Sequence, residues 1–396
     1  MLYSNVAGEK TSRFGFGAMR LPQLEGGAID EAQVDEMVAY CMEHGVNYFD
    51  TAYPYHNGLS EIVLANSLRR YPRESYKLAD KYPGHQIAET YDPADIFEEQ
   101  LQKCQVDYFD FYLLHNVYER SLPVYLDERW GILSYFAEQV RNGRIKHLGF
   151  STHGSIECMR TFMEAAGSSI EFCQIQMNYL DWTLQEAKEK CEMLREAGLD
   201  IVAMEPVRGG ALCNLSDEAA TLLEAVTPGR PAAAWALQWQ IGKPGDVILS
   251  GASSMEQLQE NIALFESGEA LTSAEDAALF EVAEGMKDSV PCTACRYCCD
   301  SCPLGLDIPF LLSLANEVRV APSFNAGMRI DALEPEKRPD ACIGCGACTQ
   351  MCPQNIEIPE VLAQMVDAMK GMPHWDDLCR ARYEAAQKLR AEQNAK

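Results

Sequence analysis

The chain has 396 residues, 47% of them apolar, and a formal net charge of −26. That length exceeds one ordinary domain, so two are expected. The acidity argues against nucleic-acid and anionic-membrane partners, and no apolar run is long enough to span a bilayer.

The opening stretch MLYSNVAGEKTSR lacks the apolar core of an export signal, so a cytoplasmic chain is expected. The acidity itself is read as solubility, with a basic docking partner as the alternative.

Residues 1–13 are predicted to form a short hairpin plugging the bottom of a barrel. FGFGAMRL, residues 14–21, reads as a first strand with two glycines, where a ligand or another backbone comes close. Strands and helices then alternate. Strands are predicted at 46–50, 76–81, 108–114, 147–151, 171–176, 200–204 and 246–249. Helices are predicted at 30–44, 60–69, 93–104, 132–142, 155–166, 184–197, 230–241 and 255–265. Counting the first, eight strands are each followed by a helix. The strands are short and continuously apolar, as parallel strands buried on both faces should be. This pattern predicts an α/β fold, a (β/α)8 TIM barrel over residues 1–270. A linking helix is expected within 271–290, with Ser273 as its N-cap. From Pro291 to 396, cysteine-rich turns alternate with short helices at 308–320 and 359–370, and a polar helix at 376–392 ends the chain.

Within the barrel region one stretch stands out, NYFDTAYPY at 47–55. It is strand-like and ends in a loop that holds an acid, Asp50, and a phenol, Tyr55. Lys81 ends the next strand-like run and His115 the one after. An acid, a phenol, an ammonium and an imidazole at three successive strand ends form a candidate proton-transfer site at a barrel mouth. Singly, each has a structural reading as packing or an ion pair; together they form one constellation. The order and placement resemble the aldo/keto reductases.

That resemblance covers roughly residues 1–270 and implies catalytic roles for Asp50, Tyr55, Lys81 and His115. It implies reduction of a small-molecule carbonyl by NADPH or NADH. Tyr55 would donate the proton. A phenol titrates near pH 10, and a nearby Lys81 ammonium should lower that value. Asp50 would hold Lys81, and His115 would orient the carbonyl.

The resemblance also implies cofactor contacts. Gly17 and Met19 lie where strand one runs out. Ser151 and Gln174 would grip the carboxamide. Met204 stands where the family usually stacks an aromatic ring. The loop EPVRGG with Arg208 would meet the pyrophosphate. Gly251, Ser253, Ser254, Gln257, Glu260 and Asn261 match the adenosine-phosphate segment, where a helix N-terminus favours anions. Many NADPH-specific members carry Lys and Arg where this chain has Gly251 and Gln257, so comparable use of NADH and NADPH is expected. Arg20 is read either as meeting an acidic substrate or as a solvated rim residue.

The chain has 16 cysteines, and without an export signal disulfides are not expected. Cys41, Cys104, Cys158, Cys173, Cys191, Cys213 and Cys379 are scattered and read as packing. The rest fall in two runs. Cys292, Cys295, Cys298 and Cys302 precede Pro303, and Cys342, Cys345, Cys348 and Cys352 precede Pro353. This repeated spacing is that of two-cluster ferredoxins, in which three close thiolates hold one [4Fe-4S] cluster and the fourth crosses to the other. Cluster one would take Cys292, Cys295, Cys298 and Cys352; cluster two would take Cys342, Cys345, Cys348 and Cys302. Zinc is the rival metal. Cys299 is read as a neighbour, since the second run has Thr349 there. A mainly α-helical ferredoxin-type module is expected.

The whole chain then resembles an aldo/keto reductase with a C-terminal two-cluster domain. Nicotinamide delivers two electrons as hydride, whereas each cluster passes one. Three functions follow: a carbonyl reductase with a structural or docking iron–sulfur module, a redox enzyme coupling an electron-transfer protein through the clusters to a substrate or flavin in the barrel, and a redox-sensing binding subunit.

Overall fold

A computed structural model describes residues 1–287, 290, 292, 294–352 and 354–394. Pro291 and Pro353, which figure in the sequence reading, lie outside the described residues.

Residues Met1–Phe280 and Arg382–Lys396 group into one compact unit, and Glu281–Ala381 into a second. In the first, eight parallel strands close into a barrel: β3 (Phe14–Gly17), β4 (Tyr48–Asp50), β5 (Lys77–Tyr82), β6 (Phe109–Val117), β7 (Ile145–Thr152), β8 (Phe172–Gln176), β9 (Asp200–Met204) and β10 (Val247–Ser250). Ahead of them β1 (Tyr3–Val6) and β2 (Glu9–Ser12) form the expected hairpin. Its Val6 packs into a core with Tyr48, Ala79, Phe111, Leu113, Phe172, Val202, Val247 and Leu249.

That core sets the phase of the strands. Side chains alternate across a strand, so residues two further along share the core-facing side. Asp50 follows Tyr48 by two, Lys81 follows Ala79, and His115 follows Leu113. Gln174 follows Phe172, and Met204 follows Val202. The site residues are therefore the next layer above the packed core, at the C-terminal ends where barrel chemistry is built.

β6 runs on to Val117, and its register with β7 shifts between Leu114 and Val117. His115 thus lies inside an irregular strand rather than at its end, next to Asn116 at φ 55°. Such bulges re-aim side chains beside functional sites. β3 is shorter than predicted, because Ala18–Arg20 turns into a 3-10 helix.

The helix Ser273–Met286 starts at Ser273, so Ser273 is not its cap. Thr272 takes that place in a reciprocal box: Glu275 N donates to Thr272 Oγ1 at 3.3 Å, and Thr272 N donates to Glu275 Oε2 at 2.8 Å. Hydrogen bonds from Thr227 and Thr272 hold the Glu275 carboxyl down to about 2.

Among its described residues, the regular elements of the second unit are all helices. Two longer helices, Ile308–Val320 and Ile358–Ala368, each follow a cysteine run that contains a four-residue helix, Tyr297–Asp300 or Ala347–Gln350. A further helix, Phe324–Asp331, was not foreseen. Leu306, Ile308, Leu311, Leu312, Ile356, Ile358, Val361 and Leu362 form a shared core. The repeated Ile-Pro start places Ile308 and Ile358 at equivalent points in it.

Candidate active site

Tyr55 begins a tight turn, Tyr55–Gly58, in which His56, Asn57 and Gly58 all have positive φ. Non-glycine residues held there are strained, and such strain gathers at functional sites. The turn is pinned from below: Thr51 Oγ1 lies 2.9 Å from Ser60 Oγ, and Ser60 Oγ donates to Ala18 O at 2.9 Å.

The four residues of the constellation come together. The fully buried Lys81 ammonium pairs with Asp50 and donates to Thr51 O at 2.7 Å and to the Tyr55 hydroxyl at 3.4 Å. The Tyr55 and His115 rings meet edge to face with centroids 5.8 Å apart.

Electrostatics differ from the sequence expectation in one respect. Burial pushes the Tyr55 phenol above its ordinary value; Lys81 pulls it back, but not below. The expected acidified phenol is corrected to a partly buried one whose proton affinity is raised, since an ammonium against the hydroxyl only partly offsets desolvation. Burial opposes the Lys81 ammonium too, yet Asp50 and Tyr55 outweigh it and hold it above its usual value. His115 is driven well below the imidazole range by burial, with His85, Lys81, His153 and Arg382 adding to the effect. Its ring is neutral at physiological pH.

Tyr125 was not singled out from sequence. Its hydroxyl donates to His115 O at 2.6 Å, fixing the backbone of the bulge. A tyrosine in a short helix after the strand carries no signal of that role.

Around this core lie the residues expected to meet a dinucleotide. Asn116 N donates to Ser151 Oγ at 2.8 Å, and Gln174 Nε2 reaches Met204 Sδ at 3.4 Å. Gln174 Oε1 is buried without a protein hydrogen-bond partner. A buried acceptor of that kind suits an amide N–H from a ligand, so the residues present fit a carboxamide. Gly17 is partly buried and Met19 exposed.

Arg208 is the residue expected at the pyrophosphate. It is buried, and its Nε donates to Asp181 Oδ2 at 3.2 Å. Asp181 also accepts from Gln176 and Asn178, each at 2.7 Å. This network ties the buried Arg208 side chain to Asp181. Arg20 lies against two glycines of the same region, Gly209 and Gly251. A Cβ built on Gly209 would come 3.0 Å from an Arg20 guanidinium nitrogen, and one on Gly251 would lie 3.4 Å from Arg20 Cβ. Ser253 Oγ donates to Arg20 O at 3.1 Å.

In the last segment, Ser254 caps the helix Met255–Ser267 by accepting from Gln257 N at 3.3 Å. Gln257 Oε1 accepts from Ser253 N at 2.9 Å, and Asn261 Nδ2 donates to Ser250 Oγ at 3.0 Å. Glu260 is exposed on the same helix.

In the helical unit the eight cysteines divide into two cavities. Cys292, Cys295, Cys298 and Cys352 line one with Pro309, Leu312 and Ile358. Cys302, Cys342, Cys345 and Cys348 line the other with Leu306, Ile308 and Leu362. The fourth cysteine of each run has crossed to the other set. Cys299 lines neither cavity and is partly buried. Among the scattered cysteines, Cys213 is exposed and the other six are buried.

Among the described residues, no helix is long and apolar enough to cross a membrane. Comparison with known proteins agrees with both halves of the architecture. Residues 13–284 match the aldo/keto reductase family, and residues 291–357 match a 4Fe-4S dicluster domain. A soybean protein described as a probable aldo-keto reductase is 26% identical over 51% of this chain, which spans 58% of that relative's length. The NADH-specific methylglyoxal reductase of Escherichia coli is 24% identical, with 61% of this chain and 85% of that protein covered. Among solved structures, a thermostable aldo-keto reductase bound to the inhibitor epalrestat aligns over 71% of this chain and all of its own (100%), at 24% identity and a TM-score of 0.60. An aldo-keto reductase of Klebsiella pneumoniae bound to NADPH aligns over 72% of this chain and 96% of its own, at 21% identity and a TM-score of 0.58. With an eight-stranded barrel, a family match over residues 13–284 and an iron–sulfur match beyond it, the chain belongs to the aldo/keto reductase family of oxidoreductases and carries a C-terminal 4Fe-4S dicluster domain.

Proposed function

We propose that the barrel reduces a small-molecule carbonyl with NADH or NADPH and that Tyr55 donates the proton. The observation that carries this is the buried Lys81 ammonium, fixed by Asp50 and standing 3.4 Å from the Tyr55 hydroxyl.

A bound nicotinamide supplies the hydride. The chain's own residues do the rest. A phenol held above its ordinary value keeps its proton until an alkoxide begins to form. Once the proton leaves, the phenolate is stabilised by Lys81, whose own proton is retained by Asp50. That interaction is stronger after proton transfer than before it, as catalysis requires. The neutral His115 ring offers a hydrogen bond to the carbonyl oxygen without adding a cation.

For the dinucleotide, Ser151 and Gln174 receive the carboxamide, and Met204 packs beside the ring. Arg20, rather than Arg208, supplies the cation at the phosphates, with Gly209 and Gly251 leaving room for it. The capped helix start at Ser254 adds backbone donors, and Gly17, Met19, Ser253, Gln257, Glu260 and Asn261 border the site. No second cation takes the positions of Gly251 and Gln257, which favours comparable NADH and NADPH use. The Escherichia coli relative, named for NADH specificity, is a similar chain that works without the extra phosphate of NADPH.

The helical unit is read as holding two [4Fe-4S] clusters, one in each four-cysteine cavity. Four cysteines gathered around one small cavity fit a cubane, which needs four thiolates. The module's boundary with the barrel is placed within residues 271–290, and an electron-transfer protein is the partner class such clusters serve.

Aldehyde reduction by the Tyr55→Phe protein tests the barrel reading. Loss of turnover with dinucleotide binding retained supports it. Turnover by dithionite-reduced clusters with nicotinamide omitted would favour the coupling reading instead.

A further inference from the structure

The family match ends at residue 284 and the iron–sulfur match at 357, which leaves the tail with no assigned role. Residues from Arg382 onward nevertheless group with the barrel. They belong to the helix Trp375–Asn394. Leu389 Cδ2 lies over the Tyr55 turn, 3.5 Å from where a Cβ on Gly58 would be. Arg390 pairs with Glu99. Ala386 is buried, while Glu384, Gln387 and Lys388 are exposed. Positions 386, 389 and 390 follow i, i+3 and i+4, so one face of the helix is docked.

These contacts converge on the turn that carries Tyr55. Glu99, on the helix Pro93–Cys104, accepts from the Tyr53 hydroxyl at 3.2 Å with the same oxygen that Arg390 holds. One turn along that helix, Lys103 lies over the Tyr53 ring, 4.5 Å from its centroid, and pairs with the buried Glu61. Lys103 Nζ would be 3.6 Å from a Cβ on Gly58, so Lys103 and Leu389 both border the glycine that closes the turn. The Glu99 and Arg390 side chains are 12% and 29% exposed, so this pair is shielded from water as an open surface pair is not.

The turn needs such support. His56 and Asn57 are held at positive φ, and strain of that kind persists only where the surroundings over-determine it. Tyr55 also has little slack, because its hydroxyl stands 3.4 Å from Lys81 Nζ, near the outer limit of a hydrogen bond. A shift of about 1 Å at the turn would break that contact, and misplacement of that size costs about a hundredfold in rate.

We propose that the tail helix is a strap that positions the Tyr55 turn, with Arg390 acting through Glu99 and Tyr53, and Leu389 acting through Gly58. Releasing the strap slows the chemical step and leaves the dinucleotide bound. This rests on the carbonyl-reductase reading, and the test separates the two.

The cluster-loaded full chain and its Arg390→Met and Leu389→Ala variants are compared by hydrogen exchange and by aldehyde reduction. Amide exchange in residues 52–59 is expected to quicken about tenfold in each variant, with the barrel strands unchanged. In steady state kcat should fall about tenfold while KM for the dinucleotide stays within about threefold, and Arg390→Lys should recover part of the loss. Tyr53→Phe combined with Arg390→Met should be little worse than either alone, since both break the same chain of contacts. Unchanged exchange in residues 52–59 overturns the proposal, as does exchange quickened equally throughout the barrel, which is plain destabilisation. A wild-type kcat in Arg390→Met overturns it too. If the wild type reduces no aldehyde, the carbonyl-reductase reading fails, and exchange in residues 52–59 still decides the strap.

Discussion

Lys81 reaches the Tyr55 hydroxyl at 3.4 Å while Asp50, on the neighbouring strand, pairs with the same ammonium. The three residues therefore act as a unit, and their losses should not add. Tyr55→Phe, Lys81→Met and Asp50→Asn are each expected to lower kcat by about a hundredfold or more, with the double variants little worse than the singles. Dinucleotide affinity, measured by fluorescence quenching, should stay within about threefold in Tyr55→Phe.

The pH profile follows from the directions of the shifts. The folded Tyr55 phenol lies above its ordinary value and the His115 imidazole well below its own. Neither group titrates between about pH 6 and 9, so kcat/KM for reduction should show no inflection near the ordinary histidine value of about 6.5. Stability behaves differently. Below about pH 6.5 the unfolded chain takes up protons that folded His85 and His115 refuse, so unfolding free energy should fall as pH drops. Thermal melts between pH 8 and 5 would show it, and a melt unchanged across that range would not fit.

Arg20 is the cation expected to meet the dinucleotide phosphates. Arg20→Met should weaken NADH and NADPH binding alike, by about tenfold. The Gly209→Ala side chain would meet the Arg20 guanidinium and should also weaken binding, whereas Arg208→Met should act through stability, because its partner is the buried Asp181. Titration calorimetry with each nucleotide distinguishes these, and an NADPH preference above about a hundredfold in the wild type would contradict the missing second cation.

The crossed cysteine sets make a distinct expectation. Purified anaerobically, the chain should carry about eight irons and a broad visible absorbance that bleaches with dithionite. Cys352→Ala should disturb the cluster held by Cys292, Cys295 and Cys298, not the one beside it in sequence. Two distinguishable paramagnetic signals, one lost in each of Cys302→Ala and Cys352→Ala, would check it. Zinc with no colour would rule the clusters out.

Much of this was legible because it is periodic. Eight βα units and two cysteine runs with fixed spacing are repeats, and repeats survive a one-dimensional reading. The strand-end residues were legible for a second reason, since they keep the alternation of the core below them. What escaped was set by tertiary context. Nothing local shows that Arg208 is tied to Asp181, or that Arg20 lies over two glycines far along the chain. The sign of the Tyr55 shift depends on how completely the loop is buried, which a neighbouring lysine cannot reveal. The tail reads as a polar helix, and its docked stripe appears only once the loop holding Gly58 is in place.

A dinucleotide deuterated at its transferring position tests the central claim most directly. In a single turnover with an aldehyde, the label is expected on the carbinol carbon of the product, and the Tyr55→Phe protein should form that product at least about a hundredfold more slowly. Unlabelled product, or undiminished labelled product from Tyr55→Phe, would contradict a Tyr55-dependent nicotinamide reduction in this barrel.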